Sequence, residues 1–103
     1  MKVEVGELSS LPRDRGIRVT VGENRVAMFR IGEDVYAIGD VCSHAEASLA
    51  EGEVFDTEVE CPRHGSEFDL KTGEPRSLPA TQPVPTYEVA IEDGTVFLLL
   101  EDV

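Results

Sequence analysis

Four side chains that can bind a soft metal ion lie in two short groups of the sequence. Cys42 and His44 form the first group, Cys61 and His64 form the second, and residues 45–60 separate them. The chain contains no other cysteine or histidine. Small and turn-forming residues stand beside both groups, so we expect two loops that close on one inorganic centre from opposite sides.

Two kinds of metal centre are compatible with this donor set. A single Zn²⁺ ion accepts two thiolates and two imidazoles, but the usual zinc sites take two cysteines from one turn and two histidines from another. Each group here mixes the two residue types. A [2Fe–2S] cluster with two cysteines on one iron and two histidines on the other needs such mixed loops, because each loop must reach both irons. The spacing favours the iron–sulfur centre, and a zinc-stapled binding module is the alternative.

Short stretches of alternating apolar residues predict the β-strands that must hold these loops. The alternation at residues 17–21 indicates one strand, and turn residues separate it from strands at 26–31 and 35–38. These three strands are expected to form a meander. A second piece of framework, a hairpin, is predicted at residues 87–100, where two apolar stretches flank an Asp-Gly turn.

The segment between the two pieces of framework, residues 40–86, is rich in loop-forming residues. It carries five of the six prolines and all four candidate ligands. Within it, only residues 45–51 could form a short helical turn, and seven residues are marginal for a helix. The chemistry is therefore expected in a loop-rich insert that a β-scaffold supports.

The two candidate groups together resemble the signature of a known family. Cys-x-His, sixteen intervening residues and Cys-x-x-His-Gly are similar to the motif of Rieske proteins. Further resemblance to soluble Rieske ferredoxins lies at residues 49–53, 68–73, 79–81 and 83–87. The resemblance runs from about Gly16 to the end of the chain.

The resemblance implies an all-β fold. The expected architecture is a Rieske-like β-sandwich or barrel scaffold with a small rubredoxin-like cluster-binding subdomain of loops. Residues 1–103 are expected to form one domain, with the cluster-binding insert at about 40–86.

The resemblance also implies one Rieske-type [2Fe–2S] cluster per chain. Cys42 and Cys61 would bind the inner iron as thiolates, and His44 and His64 would bind the outer iron through neutral imidazoles near the surface. Electrons would leave from the histidine side. Because protein side chains fill all four positions, no iron keeps an open position for a substrate, and the protein is not expected to be an enzyme.

Five further residues are expected around the cluster. Leu49 shields the site from water or simply fills the core, and Gly65 supplies an unusual backbone dihedral that also allows close approach to a sulfide. Ser66 caps the local turn or touches the cluster. Pro79 covers the cluster as part of a third loop or only stiffens a connection. Phe68 stands where respiratory relatives place a tyrosine hydroxyl.

Respiratory members of the family join their two loops by a disulfide, and Ala47 and Arg63 occupy those positions here. The chain thus resembles the oxygenase-ferredoxin branch. Since hydrogen bonds to the cluster sulfurs raise the reduction potential, the absence of the tyrosine hydroxyl predicts a potential in the lower half of the range of about −150 to +300 mV.

Charge restricts the partners. The formal net charge is −12, from 21 acidic and 9 basic side chains. A negative field of this size opposes binding to nucleic acid or anionic membranes and favours partners with basic docking patches.

The first residues lack the apolar stretch of a signal peptide, and the apolar run at 96–100 is too short to span a bilayer, which predicts a cytoplasmic protein. In that reducing compartment the two cysteines are expected to serve as ligands rather than as a disulfide.

The function implied by the resemblance is one-electron transfer. A flavin-dependent reductase would be the donor, and the acceptor would be a redox protein such as a ring-hydroxylating oxygenase with non-heme iron. A monomer is expected. The alternatives are a redox accessory in iron–sulfur cluster assembly and a small subunit resembling that of nitrite reductase.

Overall fold

The strands follow the alternation of apolar residues closely in the framework and less so in the insert. The computed structural model describes residues 1–43, 46–63, 65–78, 80 and 82–100. Within these residues the strands are β1 (Lys2–Glu7), β2 (Gly16–Val21), β3 (Asn24–Ile31), β4 (Asp34–Gly39), β5 (Val54–Phe55), β6 (Glu58–Glu60), β7 (Glu67–Asp69), β8 (Thr86–Glu92) and β9 (Thr95–Leu99). Short 3₁₀ helices span Leu8–Ser10 and Leu49–Glu51.

Six strands form an antiparallel sheet in the order β1-β9-β8-β4-β3-β2, which curls into a nearly closed barrel. The β2–β3–β4 meander and the β8–β9 hairpin are confirmed, as is the all-β fold class. Asp93 and Gly94 form the predicted turn with positive φ angles of 50° and 79°. Ile91, the residue of the alternating stretch nearest this turn, is exposed rather than buried.

Strand β1 was not predicted. It pairs with β9, so that Val3 lies opposite Leu98 at one edge of the barrel. The pairing shifts its register between Glu4 and Gly6, which interrupts the alternation after a few residues. A strand whose alternation is interrupted in this way gives only a weak periodic signal in the sequence.

Strand β3 is buried on both faces, and this explains its unbroken apolar stretch. Val26 and Met28 belong to the barrel core, together with residues from β9. Ala27 and Phe29 belong to a second core, which lies between the sheet and the insert. The insert therefore packs against a strand whose opposite face belongs to the barrel core.

The insert contains three short strands as well as the predicted loops. Strands β5, β6 and β7 form a separate antiparallel sheet in which Val59 pairs with Phe68. These strands contain only two or three residues each, below the length at which alternation can be recognised. The predicted helical turn at 45–51 is shorter, a 3₁₀ helix at Leu49–Glu51. Among the described residues, no helix is long and apolar enough to cross a membrane.

Candidate metal centre

The first ligand loop begins directly after β4. Cys42 donates its backbone N–H to the carbonyl of Ala47 at 3.0 Å, and Val41 forms an antiparallel bridge with Ser48. These contacts close the loop at its base. The Cys42 side chain is turned into the protein and is only 4% exposed.

The second ligand loop connects β6 to β7. Cys61 donates its backbone N–H to the carbonyl of Ser66 at 2.7 Å, and its own carbonyl accepts the N–H of Gly65 at 3.0 Å. The Cys61 side chain is fully buried. In both loops the cysteine N–H thus bonds the carbonyl five residues later, so the two loops are closed in the same way.

Both cysteines lie in the second core, between the sheet and the insert. Leu49 and Phe68 are fully buried there, together with Val59. A thiolate in such surroundings needs a metal or another positive centre to offset its loss of hydration. Leu49 therefore fills the core, as one of its two predicted roles requires, and shielding of the cluster from water remains a prediction.

Three of the predicted site residues, His44, His64 and Pro79, lie outside the described residues. Among the described residues, no group of three or more Cys, His, Asp or Glu side chains is arranged to hold a metal ion. Of the four predicted ligands, Cys42 and Cys61 are the two that the structure describes.

A third segment, which includes Arg76, Ala80 and Gln82, is hydrogen-bonded to both ligand loops. From the second loop, Ser66 accepts the backbone N–H of Ala80 on its Oγ at 3.0 Å. From the first loop, the hydroxyl of Ser43 donates to the carbonyl of Gln82 at 2.5 Å. Ala80 and Gln82 are close in sequence to Pro79, which supports the prediction of a third loop at this site. Ser66 thus holds the third segment to the second ligand loop, and its contact with the cluster stays a prediction.

The same segment is also held to the insert sheet. Arg76 contacts Glu58 at 3.0 Å and Asp69 at 3.8 Å. The hydrogen bond to Glu58, with the added charge of Asp69, raises the pKa of Arg76 above its usual value. The guanidinium therefore joins the third segment to β6 and β7 through charge.

Gly65 adopts φ 76°, a conformation that L-residues with a side chain rarely take. A Cβ at this position would meet no described atom within 4 Å. The predicted backbone dihedral is thereby confirmed, and close approach to a sulfide remains a prediction.

Gly65→Ala is expected to lower the free energy of unfolding by about 1 kcal/mol, because the left-handed conformation is strained for alanine. Gly22→Ala is the matched control, since Gly22 has φ 59° in the β2–β3 turn and equally open space. Chemical denaturation of both apoproteins should give similar losses. If the backbone of Gly65 approaches the cluster, Gly65→Ala alone should also lose iron. Equal iron contents in the two variants would contradict that role.

Asp40 is a buried residue of the site that the sequence analysis did not single out. It lies between β4 and Cys42 and is fully buried. Its carboxylate accepts hydrogen bonds from the Ser48 hydroxyl at 2.7 Å and from the Ala50 N–H at 3.0 Å. In sequence, an aspartate that follows a strand has the same pattern as an ordinary turn residue, so only the fold reveals its contacts.

Comparison with known proteins decides the family. A family model described as the Rieske [2Fe-2S] domain matches residues 1–88. The chain belongs to this family. The match begins before Gly16, which corrects the predicted start of the resemblance, and it includes β1 and both ligand loops.

Relatives in the Rieske family are similar to this chain over most of its length. The anthranilate 1,2-dioxygenase ferredoxin subunit of Burkholderia cepacia is 40% identical over 92 residues, covering 89% of this chain and 85% of the relative. The 3-phenylpropionate/cinnamic acid dioxygenase ferredoxin subunit of Escherichia coli (strain K12) is 41% identical over 96 residues, covering 92% and 90%. A chain in the solved complex of reduced oxygenase and oxidized ferredoxin in carbazole 1,9a-dioxygenase superposes with a TM-score of 0.90 at 37% identity, covering 94% of this chain and all of that one.

The cofactor of this Rieske protein is a [2Fe–2S] cluster, and the described residues fit it. Two cysteines from two similarly closed loops converge on one apolar core. A thiolate pair of this kind is the donor set that one iron of the cluster requires. The predicted cofactor and the assignment to Rieske-type ferredoxins are confirmed.

Proposed function

We propose that this protein is the ferredoxin component of an oxygenase system. It accepts single electrons from a flavin-dependent reductase and passes them to a terminal oxygenase. The observation that carries the proposal is the near full-length similarity to ferredoxin subunits of two dioxygenases, at 40% and 41% identity. The solved complex of a related chain with its oxygenase gives the same pairing of partners.

Cys42 and Cys61 would hold one iron, and His44 and His64 would hold the other. When bound, the cluster supplies a one-electron redox couple. The chain itself keeps water from the thiolate side through Leu49, and the backbone closure of each loop fixes the position of the cysteine within that loop. Such a fixed donor geometry limits the rearrangement that accompanies a change of charge.

The acidic surface beside the second ligand loop supports a basic partner. Glu60 and Glu67 lie directly opposite each other on β6 and β7, and Glu58 and Asp69 form the next such pair on the same face. Arg76 bridges the second pair, but no salt bridge from a described residue reaches the first. Because like charges opposite each other destabilise a sheet, basic side chains of a partner would be attracted here.

We also propose that the protein works in the cytoplasm as a monomer. The assignment of both cysteines as cluster ligands supports this location, because thiolate ligands are favoured over disulfides in a reducing compartment.

Electron paramagnetic resonance of the reduced protein tests the proposal. We expect one cluster per chain with the low average g-value of mixed cysteine and histidine ligation, and a potential in the lower half of the range of about −150 to +300 mV. Stopped-flow electron transfer to a Rieske oxygenase should slow as salt is raised, because exposed charges are screened. A colourless protein that contains zinc and no acid-labile sulfide would refute the proposal.

A further inference from the structure

We infer that Asp40 is a positioning residue for the first ligand loop. The inference rests on the proposed role of Cys42 as a cluster ligand. Asp40 lies two residues before that cysteine, and its contacts reach both ends of the loop. No part of the sequence motif includes it.

The backbone of Asp40 anchors the start of the loop. Its N–H donates to the carbonyl of Arg25 on β3 at 2.9 Å, which extends the pairing of β3 with β4 beyond the end of β4. Its carbonyl accepts the N–H of Leu49 at 2.7 Å. The backbone of Asp40 is therefore bonded both to the barrel at Arg25 and to Leu49 on the far side of the loop.

The side chain of Asp40 anchors the end of the loop. Oδ1 accepts the Ser48 hydroxyl at 2.7 Å and the Ala50 N–H at 3.0 Å. Together with the Leu49 contact, three consecutive residues after the loop bond to this one aspartate. Since Ser48 also bridges Val41, the carboxylate holds both strands of the loop's base in one arrangement.

The charge of Asp40 is balanced by two arginines. Arg25 places Nη2 3.2 Å from Oδ2, and Arg18 places Nη1 4.0 Å from the same atom. Both arginines are about half exposed, whereas the carboxylate is fully buried. A buried charge in such a network adds little stability over an apolar side chain, but it fixes one arrangement of the groups that bond to it.

These contacts identify what Asp40 does for the metal centre. An apolar residue could fill the space, but it could not accept the hydroxyl of Ser48 and the N–H of Ala50. Without these acceptor atoms only the backbone contacts hold the base of the loop, and the position of Cys42 is fixed less tightly. Groups that orient metal ligands in this way affect metal retention more than they affect folding.

Asp40→Ala is the variant that tests the inference, and Arg30→Met is its matched control. Arg30 is also a buried charged residue on the sheet, with hydrogen bonds to the carbonyls of Gly32 at 2.8 Å and Leu8 at 2.9 Å. None of its hydrogen bonds to described residues reaches a ligand loop. Iron release to a chelator is followed by the loss of visible absorbance, and melting temperatures are measured on the apoproteins. We expect Asp40→Ala to release iron about tenfold faster than Arg30→Met at a comparable loss of melting temperature.

Asp40→Asn provides the conservative variant. Its amide oxygen can still accept from Ser48 and Ala50, so iron release should return toward the wild-type rate. Its missing negative charge should raise the reduction potential, a readout that a purely structural role would not move. Equal iron release from Asp40→Ala and Arg30→Met would overturn the inference, as would an Asp40→Asn variant that releases iron as fast as Asp40→Ala or keeps the wild-type potential. A wild-type protein without an iron–sulfur cluster would instead overturn the proposed function, so the two failures are distinguishable.

Discussion

Cys61→Ser is expected to fold and to contain no [2Fe–2S] cluster. Cys61 is fully buried and supplies one of the two thiols of the chain. A serine hydroxyl occupies nearly the same space but does not ionise near neutral pH, and it is a much harder donor than a thiolate. The loss should be seen as near-zero iron and acid-labile sulfide, while far-UV circular dichroism retains its β-sheet form.

Val59→Ala is the control for this substitution. Val59 belongs to the same core and pairs with Phe68, but it offers no metal-binding atom. Its truncation leaves a cavity that lowers the melting temperature, yet iron content should stay close to that of the wild type. If Cys61→Ser kept full iron and sulfide with unchanged g-values, Cys61 could not be a ligand.

Gly52→Ala is expected to lower the free energy of unfolding by about 3 kcal/mol, at the upper end of what overpacking usually costs. Gly52 has φ −78°, which alanine adopts without strain, so the effect is purely steric. A Cβ at this position would lie 2.0 Å from the carbonyl oxygen of Glu60 and 3.0 Å from a methyl group of Val59. Because a backbone atom cannot rotate away, β6 has to move.

The displacement at Gly52 should also reach the metal centre. Glu60 directly precedes Cys61, while Gly52 ends the 3₁₀ helix that follows the first ligand loop. Pushing the two segments apart separates the bases of the two loops, so iron content should fall together with stability. Chemical denaturation and iron analysis measure the two effects. Gly22→Ala is the comparison, because its cost comes from a positive φ and not from a close contact. Normal stability and full iron in Gly52→Ala would show that the loops are not coupled here.

The framework was predictable because its signal is local. The strands of the meander and the C-terminal hairpin are five to eight residues long and carry alternating or unbroken apolar stretches, and an Asp-Gly pair marks the last turn. The strands of the insert are stabilised by packing around Val59 and Phe68. Their own sequences carry no pattern that predicts them. Strand β1 depends in the same way on its pairing with β9.

The candidate site was predictable where residue type alone restricts the chemistry. Few residues other than cysteine and histidine can bind a soft metal, so Cys42 and Cys61 were identified from their spacing. Asp40 and Gly52 were not identified from the sequence, because an aspartate after a strand and a glycine in a turn are common in any protein. Their importance comes from contacts with residues far along the chain, such as Arg25 and Glu60, and those contacts exist only in the folded protein.

Strand β3 gives one face to the barrel and the other to the insert. Detachment of the insert would expose Ala27 and Phe29 to water while Val26 and Met28 on the opposite face stayed covered. A partly opened molecule of this kind would lose the burial of one face of β3 without gaining the chain entropy of full unfolding. We therefore expect the barrel and the insert to unfold in one cooperative transition. An intermediate in which only the metal-binding insert is unfolded should not be populated.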